Sequence, residues 1–94
     1  MFLSKRIVYW LLVGSRGGEN RIKILLLLKK EPSNLKKIAD SLNLDYKTVQ
    51  HHADIMSKHG LVESTGNRYG KIFFVSQDME EMWIEFGQYL EKTQ

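Results

Sequence analysis

Apolar residues recur along this chain at helical spacing in five stretches and at extended spacing in two. From Leu3 to Val13 they cover nearly every face after Ile7, with Tyr9 and Trp10 among them, until Gly14, Gly17 and Gly18 interrupt the run. A helix apolar on several sides needs more than one partner surface. Over Glu19–Lys30, Ile22, Leu25 and Leu26 cover one face and Ile24 and Leu28 an adjoining one, with Lys29 and Lys30 at the C-terminal end, where cations suit the helix dipole. Pro32 forbids continuation. Ser33 or Asn34 can cap a third helix, Leu35–Leu42, whose Leu35, Ile38, Ala39 and Leu42 fall at i, i+3, i+4 and i+7. After the turn Asn43-Leu44-Asp45, Asp45 caps a fourth helix that runs to about His59 and stops at Gly60. Leu61–Ser64 and Lys71–Val75 read as strands joined by Thr65-Gly66-Asn67-Arg68-Tyr69-Gly70. Ser76 or Asp78 opens a fifth helix, apolar at Met79, Met82, Trp83, Phe86 and Leu90 and acidic elsewhere.

A helix, a short helix, a tight turn, a helix and a two-stranded wing follow the order of a winged helix-turn-helix. The expected fold class is therefore mainly α with a small β-hairpin, with extra N- and C-terminal helices. One domain, 1–94, is expected: a helix-turn-helix at 34–59, a wing at 61–75, and dimerisation helices at 1–14 and 77–94. The run from Asn34 through Leu35-Lys36-Lys37-Ile38-Ala39-Asp40 and Leu44-Asp45-Tyr46-Lys47-Thr48-Val49-Gln50 to His52, followed by His59-Gly60-Leu61-Val62-Glu63, resembles ArsR-type transcriptional regulators of bacteria and archaea. Ser15-Arg16-Gly17-Gly18-Glu19-Asn20-Arg21-Ile22-Lys23-Ile24-Leu25 and Tyr69-Gly70-Lys71-Ile72-Phe73-Phe74 are similar to small archaeal members, so the likeness spans roughly Arg16–Ser76. The resemblance implies that the fourth helix reads double-stranded DNA, that the wing touches a neighbouring groove or the backbone, and that the terminal helices form a homodimer.

Composition narrows the classes. With 94 residues, 43% of them apolar, the chain supports one core, and a fold of this size buries only about 60% of its unfolded surface, so a partner subunit would add stability. There is no cysteine, which excludes disulfides, iron–sulfur ligation, cysteine nucleophiles and thiolate metal sensing, and is compatible with a cytoplasmic protein. The longest apolar run, Ile7–Val13, is far short of the roughly 20 residues of a membrane span, and the charged segment after it lacks a signal-peptidase pattern, so no membrane association is expected and the N-terminus is expected to stay on. The net charge of +3 is unevenly spread. After Ser76, five carboxylates against Lys92 give −4, leaving +7 on the preceding residues, a balance suited to a body that meets a polyanion.

Position on the fourth helix separates candidate contacts from core. With Val49 as origin of a helical wheel, Ala53 and Met56 lie within about 40° and His52 about 60° away, all facing inward. Lys47, His51, Asp54 and Lys58 lie opposite, with Gln50 at one edge. Lysine can donate to guanine O6 and N7, and glutamine can make a two-point contact with adenine N6 and N7. Tyr46 and Thr48 bring hydroxyls that reach phosphate, Lys36 and Lys37 stand where the third helix would approach the backbone, and Arg68 at the wing tip suits a narrow minor groove. Asp54 faces phosphate unfavourably unless it accepts from a cytosine amino group or lies off the duplex. At the chain ends, Ile7, Trp10, Leu11, Met82, Trp83, Phe86 and Leu90 offer more apolar surface than one small core needs, which points to a homodimer seam. The three histidines form no standard ligand set: His51 and His52 diverge by about 100° and His59 lies two turns on, so no metal or cofactor is expected, and His52 is expected to pack at the core edge with a local hydrogen bond. Neither a phosphate-binding glycine loop nor a hydrolase or zinc-protease motif is present, so the chain reads as non-catalytic. The alternative is a winged-helix module that binds another protein and not specific DNA.

Overall fold

The computed structural model describes residues 3–66 and 70–92, the last five as backbone alone. Its elements are α1 (Lys5–Tyr9) running into a π-helical turn (Trp10–Gly14), α2 (Gly18–Lys30), α3 (Leu35–Leu42), α4 (Tyr46–Lys58), β1 (Val62–Thr65), β2 (Ile72–Val75) and α5 (Gln77–Lys92). This is a winged helix-turn-helix with a helix added at each end. The first helix departs from the continuous Leu3–Val13 expected: Ser4 caps it, its hydroxyl accepting from the Ile7 N–H at 3.3 Å, and its second half widens to the π form. Apolar periodicity alone does not separate the two windings.

Helix ends are set by local chemistry. Asn34, not Ser33, caps α3, its Oδ1 accepting from the Lys37 N–H at 2.8 Å. Ser33 instead pairs with the wing: its N–H donates to the Phe73 carbonyl at 3.1 Å, and the Phe73 N–H donates back at 2.8 Å. This one-residue strand pins β2 beside the start of α3. The end of α3 is closed by Leu44 N–H to Ala39 carbonyl and Asn43 N–H to Asp40 carbonyl, with Asn43 left-handed at φ 55°, a conformation asparagine tolerates. The same pair of bonds closes α4, from Leu61 to Met56 and from Gly60 to Ser57, and here glycine supplies the left-handed φ of 82°.

The two strands pair antiparallel, Val62 opposite Val75 and Thr65 opposite Ile72, and each begins one residue later than expected. Leu61 thereby stays out of the ladder and fills the core. Ser76 ties α5 to the reading unit: its hydroxyl donates to the Gly60 carbonyl at 2.7 Å and accepts from the Met79 N–H at 3.0 Å. The core lies between α2, the inner faces of α3 and α4, and the wing, centred on Leu25, Ile38, Val49, Met56, Leu61 and Met79, all fully buried. Among the described residues no helix is long and apolar enough to cross a membrane.

Candidate nucleic-acid interface

Helix α4 is fastened at its N-terminus by Asp45, whose Oδ2 accepts from the backbone N–H of Lys47 at 3.0 Å and of Thr48 at 3.2 Å. That cap satisfies two N–H groups of the first turn and sets where the helix begins, and so which side chains project. Val49, Ala53 and Met56 are buried against α3 and the wing, whereas Tyr46, Lys47, Gln50, His51 and Asp54 are exposed. Thr48 is half-buried, so its hydroxyl is less available than the sequence suggests. His52 lies on the inner face and is buried, and its pKa is lowered, first by that burial and then by the positive charge of Arg21 and by His51. Its hydrogen bond is not local as expected: the partner is Arg21 on α2.

The two lysines that open α3 are placed differently. Lys36 is exposed, with Nζ 3.4 Å from Asp40, and lines a cleft of about 370 Å³ together with Asn34, Leu35, Tyr46, Gln50, Asp54, Lys71 and Phe73. Lys37 turns toward Glu31, 2.9 Å away. Both ion pairs are solvent-exposed and contribute at most about 1 kcal/mol each, so either lysine can be recruited by a phosphate at small cost. Lys71, the residue before β2, lines the same cleft as Gln50. The sequence marks it only as a cation at the mouth of the second strand; the Ser33–Phe73 bridge is what brings that strand to the cleft. Arg68 lies outside the described residues.

At the other side of the molecule the terminal apolar residues divide. Leu11 and Trp83, each 6% exposed, belong to the domain's own core, and Met82 and Phe86 pack half-buried against it. They are therefore accounted for within one chain, because α5 folds back on α2 and α1: Lys29 sits 5.1 Å from the Trp83 ring centroid and 3.6 Å from Glu80, and Lys5 pairs with Glu85. The surface that stays open is Ile7, Tyr9 and Trp10, the last 60% exposed, and Ile84, 88% exposed and absent from the sequence-based seam. The Leu90 side chain lies outside the described part. Among the described residues no three His, Asp or Glu side chains converge as a metal site.

Solved structures share this architecture. A solution structure of a homodimeric winged helix-turn-helix DNA-binding domain from Mycobacterium bovis, described as a possible ArsR-family transcriptional regulator, superposes with a TM-score of 0.74 at 15% identity, over 93% of this chain and 79% of that one. The transcriptional regulator BldR from Sulfolobus solfataricus gives 0.71 at 14% identity, over 93% and 63%. ZitR from Lactococcus lactis, solved in complex with DNA, gives 0.65 at 22% identity over 80% of this chain, which spans about half (53%) of ZitR's length. At such identities the likeness is one of fold. No curated protein sequence matches the chain. A family model does: "Bacterial regulatory protein, arsR family" matches residues 18–64, half of the chain, from the first residue of α2 through α3 and α4 into β1. With the matched half being the helix-turn-helix and its supports, the chain belongs to the arsR family of bacterial regulatory proteins.

Proposed function

We propose that this protein is a cytoplasmic, homodimeric, sequence-specific regulator of transcription that lays α4 in the major groove of double-stranded DNA and its wing on adjacent backbone or minor groove. The observation that carries the reading is the division of α4: its inner face is sealed into the core, while Lys47, Gln50 and His51 project from a capped N-terminal half. That half is the part of a recognition helix that enters deepest. In this reading Lys47 and Gln50 address base edges and His51 a base or the backbone, while Tyr46, Thr48, Lys36 and Lys37 address phosphate. Arg68 contacts the minor groove or backbone from the wing tip. The homodimeric state of the M. bovis domain and the DNA complex of ZitR support the same assignment of partners.

The seam is proposed to form along α1 and α5, with Ile7 and Trp10 as its exposed anchors, Met82, Phe86 and Leu90 extending it, and Leu11 and Trp83 supporting it from beneath. The whole chain then works as one domain: 1–14 and 77–94 for assembly, 34–59 and 61–75 for DNA. Family and chemistry both point away from catalysis, and the reading requires no cofactor. Selection of bound duplexes from a random library tests it. The expected result is an enriched inverted repeat with half-sites about one helical turn apart, bound with an affinity that falls steeply with salt. Failure to enrich any sequence would remove the reading.

A further inference from the structure

Asp54 is an exposed carboxylate on α4 with no ion-pair or hydrogen-bond partner among the described residues. It stands in the third turn of α4, past the N-terminal region where a carboxylate gains from the helix dipole. Lys58 follows one turn later at i+4, yet Asp54 makes no ion pair or hydrogen bond with it, with Lys71 or with any other described residue. Its exposed side chain lines the cleft between α3, α4 and β2, which is also lined by Lys36 of α3 and by Lys71, the residue before β2. A carboxylate that lines a cleft with two lysines and pairs with neither is available to a ligand with a donor of its own.

We propose, resting on the DNA-binding reading above, that Asp54 is a specificity-determining residue that accepts a hydrogen bond from the N4 amino group of a cytosine. Four exposed residues that line this cleft divide by chemistry: Lys36 and Lys71 match phosphates, and Gln50 and Asp54, one turn apart on α4, match base edges. A carboxylate only accepts. In the major groove guanine shows two acceptors, thymine an acceptor and a methyl, and adenine a donor beside an acceptor, whereas cytosine shows a donor alone. Asp54 therefore favours cytosine, accepts less well from adenine, whose N6 donor stands beside the N7 acceptor, and repels guanine, thymine and any phosphate that approaches out of register. Specificity here comes as much from rejection as from attraction. Gln50 and Asp54 are four residues apart, about 6 Å along the axis. The cytosine thus falls within about two base pairs, at roughly 3.4 Å each, of the base that Gln50 reads.

The experiment compares the wild type with Asp54→Ala and Asp54→Asn in random-duplex selection and in titrations on selected and scrambled DNA. Asp54 is exposed, so equal melting temperatures are expected and serve as the folding control. If the proposal holds, the wild type enriches cytosine at one position of each half-site, where another base weakens binding about five- to tenfold. Asp54→Ala flattens that position and binds scrambled DNA more tightly than the wild type, and Asp54→Asn, whose amide can also donate, accepts further bases there. Wild-type selection of a motif that Asp54→Ala leaves unchanged, with unchanged affinity, places the carboxylate off the duplex and overturns the proposal while sparing the DNA-binding reading. A uniform gain of affinity with the same motif means that Asp54 meets only phosphate, and overturns it equally. No enriched duplex for the wild type removes the DNA-binding reading, and this proposal with it.

Discussion

The Nε of Arg21, on α2, donates to Nδ1 of His52, on the inner face of α4, at 3.2 Å, and both side chains are buried. The same guanidinium donates from Nη1 to the Leu11 carbonyl at 2.8 Å and to the Ser15 hydroxyl at 3.0 Å. Those acceptors belong to the C-terminal end of the first helix, where carbonyls lack intrahelical donors and the dipole favours a cation. A buried positive charge is thus held by a helix end and an imidazole, with no carboxylate among the described residues, and it joins the π-helical turn, α2 and α4 through one side chain. Because Nδ1 accepts, His52 is neutral with its proton on Nε2.

A pH dependence follows from this pair. Burial, then the charge of Arg21, then His51 lower the His52 pKa below its unfolded value of about 6.5. With the folded pKa depressed, the unfolded chain binds the proton more readily. Stability is therefore full above about pH 6.5 and declines as pH falls through that value toward the folded pKa. Urea unfolding at a series of pH values should show this decline in the wild type and a weaker one in His52→Gln, whose amide oxygen can accept from Arg21 but does not titrate. Identical pH profiles would exclude His52 as the source.

Gly18, the first residue of α2, lies against the end of the π-helical turn: a Cβ built there would stand 2.4 Å from the Leu12 carbonyl oxygen and 2.7 Å from its carbon. Both atoms are backbone and cannot swing aside. Gly18→Ala should destabilise the protein by roughly 1–3 kcal/mol, as overpacking does. A lower urea midpoint with an unchanged slope is the expected observation.

Trp10 and Trp83 separate assembly from folding. Trp83 is part of the core, so Trp83→Glu buries a charge within a single chain and should unfold it. Trp10→Glu acts on an exposed residue and should leave the circular dichroism spectrum unchanged while converting a dimer to a monomer. Sedimentation at tens of micromolar, about the range in which a weak dimer still associates, checks this. A folded Trp10→Glu protein that sediments like the wild type would move the seam away from α1.

Lys47→Ala and Gln50→Ala should each reduce discrimination between selected and scrambled duplexes by roughly 1–3 kcal/mol, since both side chains are exposed on the N-terminal half of α4, the half proposed to enter the major groove. Equal losses on both duplexes, measured by fluorescence anisotropy, would assign them to phosphate.

What the amino-acid order determined alone is what depends on near neighbours. The spacing of Leu35, Ile38, Ala39 and Leu42 makes an amphipathic α3, and the Asp45 cap and the Gly60 stop delimit α4. The split of α4 into a buried Val49–Ala53–Met56 face and an exposed Lys47–Gln50–His51 face follows from 100° per residue and nothing further. The tertiary structure decided which elements cover which faces. A helical wheel shows that Trp10 and Trp83 are both apolar surface, but only the folding of α5 onto α2 buries one and leaves the other in solvent. Lys71 joins the cleft because Ser33 bridges Phe73, a pairing of residues 40 positions apart, and Arg21 reaches His52 across 31. Contacts of that separation carry no local periodicity. They are selected by the packing of the whole core, which is why the exposed face of α4 was legible in the sequence and the groups that flank and fasten it were not.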